Sequence, residues 1–152
     1  MKTLTSQADF NEIIARIKNL NPDSQGLWGK MSVGLMLNHC IDQVKVTMGL
    51  LQAKPQSGAF VQGIIKWIFL RLPIQFPKNL KTFKEIEPDL TQVFQVKDFE
   101  KAQNTLIDLL NNFAKSSANT VFQHPIFGSM NKEEMGKLTY THFDHHLRQF
   151  GA

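Results

Sequence analysis

Two imidazoles one helical turn apart can hold a single divalent metal ion. The run Thr141-His142-Phe143-Asp144-His145-His146-Leu147-Arg148-Gln149-Phe150 offers such a pair in His142 and His146. At about 100° per residue, the two project about 40° apart on one helix face. With Met135 as origin, the same rotation gathers Leu138, Thr139, His142, Phe143, His146, Gln149 and Phe150 into one inward stripe. His145 falls toward an edge of that stripe, and Tyr140 and Asp144 point away from it. A buried neutral imidazole has a donor and an acceptor to satisfy. A metal takes the lone pairs and leaves each N–H to a neighbouring acceptor. Hydrogen bonds within a core would serve as well, so the i, i+4 spacing alone leaves both readings open.

A third histidine strengthens the metal reading. His39 sits mid-way along a second helical segment, on the shoulder of its apolar side with Met36, Gln43, Val46 and Leu50. It projects about 100° or more from the polar face of Asn38, Asp42 and Lys45, so it can face an adjacent helix. Cys40 points about 100° away from His39 and reads as a small core residue, not a ligand.

The elements that must position these residues are helices. The first is expected from about Gln7 to Leu20, with Phe10, Ile13, Ile14 and Ile17 at spacings of three and four, before Asn21-Pro22-Asp23 breaks it. The second follows Ser32 as N-cap and runs to about Ala53, ahead of Lys54-Pro55. The third covers about Ala59 to Leu72 and stops at Pro73. The fourth follows Asp98 as N-cap and runs to about Lys115, with Phe99, Ala102, Leu106, Leu109, Leu110 and Phe113 inward. The last begins at Asn131, with Glu134 at capping-box spacing, and runs to about Phe150 before Gly151. Between Pro73 and Lys97 the pattern is weak, with three prolines and the lysines Lys78, Lys81 and Lys84, as in a binding loop or a surface excursion. Val93 to Val96 is the one short piece that reads as extended. The expectation is an all-α single domain over residues 1–152, arranged as a bundle.

Composition narrows the classes. A 152-residue chain that is 42% hydrophobic and 20% charged can bury a full core. One cysteine cannot form an internal disulfide. The start lacks the build of a signal peptide, which makes the cytoplasm the expected address. Phe60 to Leu72 is too short and too interrupted by Gln62, Lys66 and Arg71 for a membrane span, and is expected as a buried or partly buried helix. The net charge of +4 is spread along the chain without a basic stripe, so no nucleic-acid or membrane partner is expected.

The motif on the last helix resembles that of the DinB/YfiT-like superfamily of metalloenzyme-type bundles, in which a His-x-x-x-His pair is followed three residues later by Gln, here Gln149. Three more pieces resemble an uncharacterised branch of it, a domain of unknown function: Leu27-Trp28-Gly29-Lys30-Met31-Ser32, Met36-Leu37-Asn38-His39-Cys40 and His124-Pro125-Ile126-Phe127-Gly128. Leu35 departs from an expected Gln, and Met130-Asn131 from Leu-Thr or Leu-Ser. The resemblance implies a four-helix bundle with an additional short helix and a long connection between its second and third helices. It implies a metal on His39, His142 and His146, a bacterial protein, frequent homodimers and, in some relatives, transfer or isomerisation with a low-molecular-weight thiol.

Three neutral histidines leave an ion near +2 with open coordination positions, a pattern of catalytic more than structural sites. All-imidazole ligation suits Zn, Ni or Cu, and Zn or Ni is expected. The His-Glu-x-x-His arrangement is absent, since Phe143 stands in the Glu position, so the metal is expected to act as a Lewis acid toward water or a substrate thiol. Four neighbours complete the candidate site. Gln149 reads chiefly as a partner that orients a ligating ring, His145 as a partly exposed helix residue, His124 as a buttress of the turn before Pro125, and Trp28 as a core anchor. The expected function is a divalent-metal-dependent transferase or hydrolase acting on an unknown small molecule, with a thiol as one candidate. The competing expectation is a non-catalytic metal-binding bundle in a stress response.

Overall fold

The computed structural model describes residues 1–72, 75–78, 83–91 and 95–152. It is mostly helical, with α1 (Gln7–Asn19), α2 (Val33–Thr47), α3 (Ala59–Arg71), a 3-10 turn at Lys84–Ile86, α4 (Val96–Lys115), a hairpin of β1 (Val121–His124) and β2 (Gly128–Asn131), and α5 (Lys132–Gln149).

Local chemistry accounts for most of the helix ends. Ser6 and Ser32 cap α1 and α2, accepting from the backbone N–H groups of Asp9 and Leu35. Asn131 and Glu134 close a full capping box on α5. Two boundaries differ from expectation. Helix α2 ends at Thr47 rather than Ala53, because Gly49 adopts φ 71° and the N–H groups of Gly49 and Leu50 turn back to the carbonyls of Val46 and Lys45. Helix α4 begins at Val96 after Gln95, which places Asp98 inside the first turn, where its carboxylate favours the N-terminal end of the dipole, rather than at the cap. Val96 is therefore helical, while Val93, like Lys81, lies outside the described residues.

The hairpin corrects the purely helical expectation. Val121 pairs with Asn131 and His124 with Gly128 across an antiparallel register. Each strand is four residues long, too short for alternation to stand out in the sequence. Gly128 carries φ 68° at the turn exit, and a Cβ there would meet Gln62 Oε1 at 2.9 Å.

Helix α1 packs on α4 and α5, and α2 packs on the same two helices. The hairpin rests on α2 and α5, with α3 against β2. Leu37, Leu106, Leu110, Phe113, Met135 and Phe143 fill the core almost without exposure. Burying such a side chain contributes about 1.5–3 kcal/mol against its cost in ordering. A smaller cluster of Val46, Phe83 and Ile86 ties the 3-10 turn to α2. Helix α3 takes the partly buried form of that expectation: Gln62 and Phe69 are buried, Ile65 and Leu70 are half-buried against the core, and Phe60, Ile64 and Trp67 face out. Among the described residues no helix is long and apolar enough to cross a membrane.

Helix α5 is packed on two sides, and this corrects the single inward stripe. Tyr140 is buried against α1 with its hydroxyl donating to Glu12 Oε1 at 2.9 Å. Asp144 accepts from Arg16 Nη1 of α1 at 2.9 Å and from Arg148 Nε at 2.9 Å. Neither residue points to open solvent.

Candidate metal centre

The α2–α5 packing brings His39 to His142 and His146. One ring nitrogen from each lies within 4.8 Å of the others. The rings meet edge to face or tilted, with centroids 4.6 Å apart for His142 and His146, 4.8 Å for His39 and His146, and 5.1 Å for His39 and His142. The Nε2 atoms of His39 and His142 stand 3.1 Å apart.

The surrounding acceptors decide which nitrogens are free. His39 Nδ1 lies 2.9 Å from the Ile86 carbonyl, which can only accept, so Nδ1 carries the hydrogen and Nε2 the lone pair. The Gln149 amide is oriented by its own donation, Nε2 to the Trp28 carbonyl at 2.8 Å. Its Oε1 therefore faces His146 Nδ1, at 3.0 Å, and accepts from it, leaving His146 Nε2 free. His142 Nδ1 is buried without a partner among the described residues. With its hydrogen on Nε2, this ring donates to His39 and leaves Nδ1 an orphaned acceptor. With its hydrogen on Nδ1, two lone pairs face each other across 3.1 Å, an arrangement only a cation offsets. A tetrahedral ion with Zn–N bonds of about 2.0–2.1 Å holds its ligand nitrogens about 3.3 Å apart, near the spacing of this pair. The donor set, and the spacing of its His39–His142 pair, fit a divalent ion.

Burial keeps all three rings neutral. It lowers His39 below the ordinary imidazole range, pushes His146 down to about 3, and takes His142 well below its usual value with help from His146 and His39. A neutral ring is the form a metal requires.

The site opens on a cleft of about 330 Å³ that all five histidines of the chain line. His124 holds the hairpin turn as expected: its Nδ1 accepts from the N–H groups of Ile126 at 3.1 Å and Phe127 at 3.4 Å. His145 is not the partly exposed residue expected. It is 7% exposed, lines the cleft and meets the rings of Trp28 and Phe76 edge to face. Trp28 is not a core anchor. Only half-buried, it lies beside His145 under the Lys78 ammonium, which is 4.6 Å from its ring centroid.

Several cleft residues carried no chemical signal in the sequence. Ile86 acts through its backbone carbonyl, which any residue type supplies. Phe76 and Phe83 belong to the weakly patterned connection, and only the fold brings them to the cleft. Gln43 shares the His39 face, and its buried Oε1 has no partner among the described residues.

A family model described as a protein of unknown function (DUF1569) matches residues 2–152. No curated protein and no solved structure matches the chain.

Proposed function

The chain belongs to the DUF1569 family, and from its histidine cluster we propose that it is a metal-dependent enzyme using His39, His142 and His146 to hold one divalent ion, Zn or Ni. We read α1, α2, α4 and α5 as a four-helix bundle of the DinB/YfiT type, with α3 and the 3-10 turn inserted between its second and third helices. The observation that carries the proposal is the pair of fixed tautomers. Ile86 and Gln149 each take an Nδ1–H, so the Nε2 lone pairs of His39 and His146 are available beside a cleft.

An ion held there supplies Lewis acidity toward a ligated water or thiol. The chain's own residues position and shield. Gln149 keeps His146 from rotating, and the Ile86 carbonyl does the same for His39. Phe76, Phe83 and Phe127 wall the cleft, limiting water and strengthening electrostatic interactions inside it. The cleft itself favours a catalytic over a purely structural site, since a closed structural site needs none. Transferase chemistry with a low-molecular-weight thiol is the form of this reading that the family resemblance favours.

The test is elemental analysis of tag-free protein and of His142→Ala, each before and after reloading with Zn or Ni. Near-stoichiometric metal in the wild type, lost in the variant, is expected. A wild type that binds neither metal after reloading would overturn the proposal.

A further inference from the structure

Resting on that reading, we propose that the cleft takes an electrically neutral, mostly apolar molecule, with one uncharged polar group recognised by Gln43. Apart from the five histidines and Gln43, every described lining residue is aliphatic or phenylalanine. No charged side chain is among the described lining residues, and several charges on neighbouring elements have partners outside the cleft. Asp42 pairs with Lys45, Asp144 with Arg16 and Arg148, Lys66 with the Ser129 carbonyl and Glu134, and Lys78 lies over Trp28. The ion would neutralise charge only on the atom that meets it. A second ionised group in this cleft would lose its hydration and meet no charged side chain among the described lining residues. The volume of about 330 Å³ stands at the lower end of the range for small-molecule sites, roughly 300–1,000 Å³.

Gln43 supplies selectivity within that class. It lies one helical turn after His39, is 4% exposed, and donates from Nε2 to Thr47 Oγ1 at 3.1 Å. Its Oε1 is buried without a partner among the described residues. Turning the amide over would pair the oxygen with Thr47 and leave N–H groups over instead, so either orientation leaves an uncharged polar atom for a ligand. A buried group of this kind discriminates strongly, because a ligand lacking the complementary group leaves it unpaired.

The experiment compares neutral and charged probes with the same ligating head. Cobalt-loaded protein is titrated with 4-phenylimidazole, its ring-hydroxylated isomers and 4-(4-carboxyphenyl)imidazole, following the visible absorption of the ion. Phenylimidazole should bind at least tenfold more tightly than the carboxylate, and equal or tighter binding of the carboxylate overturns the inference. At least one hydroxyl isomer should outbind the parent in the wild type and lose that advantage in Gln43→Leu. If none does, the role of Gln43 is wrong. Metal-free protein is titrated in parallel with N-phenyl-1-naphthylamine and its sulfonated analogue. Failure to take up cobalt while the neutral probe is still preferred would sink the metal reading and leave the neutral-ligand inference standing. No preference in that arm would sink the inference itself.

Discussion

Gln149 determines which nitrogen of His146 is free: its Oε1 accepts from Nδ1 at 3.0 Å while its Nε2 is anchored on the Trp28 carbonyl at 2.8 Å. The chain before α2 thus takes part in orienting a ring on α5. Replacing Gln149 with Ala should lower metal affinity about 10–100-fold, the usual cost of losing such a partner. Isothermal titration of metal-free protein with Zn checks this, and an unchanged affinity would mean that His146 needs no orientation.

His142 packs its ring against His39, His146, Phe76 and Phe143, so truncation lowers the metal-free stability as well as removing one ligand, and the metal-induced gain is the quantity to compare. Metal at about 100 times its Kd should stabilise the wild type by about 2.7 kcal/mol. Thermal melts with and without Zn should show that gain in the wild type and none in His142→Ala. An equal gain in both would place the ion elsewhere.

Acid should destabilise the metal-free protein well before its carboxylates titrate. His124 is pushed down to about 4 by burial and His146 to about 3, from an unfolded value near 6.5. Each is neutral in the fold, and below pH 6.5 the unfolded chain binds the extra proton. The stabilisation is therefore complete above 6.5 and is lost as pH falls toward the folded values, at up to about 1.4 kcal/mol per pH unit for each histidine. Urea midpoints at pH 7.5, 6 and 5 should be lower at each step below 6.5. A flat profile across that window would contradict the burial of these rings.

Asp144 offers a control on the opposite side of α5. It joins Arg16 and Arg148, and Arg16 also donates to the Ala152 carbonyl. Asp144→Ala should cost about 1–2 kcal/mol by loss of these half-buried charged hydrogen bonds. Its metal content should match the wild type in the same elemental assay. Loss of metal would show that the α1–α5 contact helps to set the histidine geometry.

Gly128 is required at the hairpin exit by both its φ of 68° and the closeness of Gln62. Gly128→Ala should destabilise by about 1–3 kcal/mol through backbone strain and crowding. Chemical denaturation measures it, and a change under about 0.5 kcal/mol, the range of ordinary surface substitutions, would show that the turn relaxes freely.

What the sequence determined by itself was everything carried by local periodicity and side-chain type. The helical repeat placed His142 and His146 on one face and His39 on the shoulder of another, and these are the three rings that meet. Ser32 and Asn131 announced their helices because a cap is a contact within four residues. What the tertiary structure alone decided depended on packing partners that no local pattern encodes. Helix α5 is buried on two sides because α1 covers the face opposite α2, so Tyr140 and Asp144 find partners on α1 instead of facing solvent. His145 and His124 share the cleft because Phe76 and the hairpin fold over it. The free nitrogens of His39 and His146 were set by a backbone carbonyl at Ile86 and an amide anchored on Trp28. Both anchors are backbone carbonyls, identical along the whole chain, so only folding could choose them.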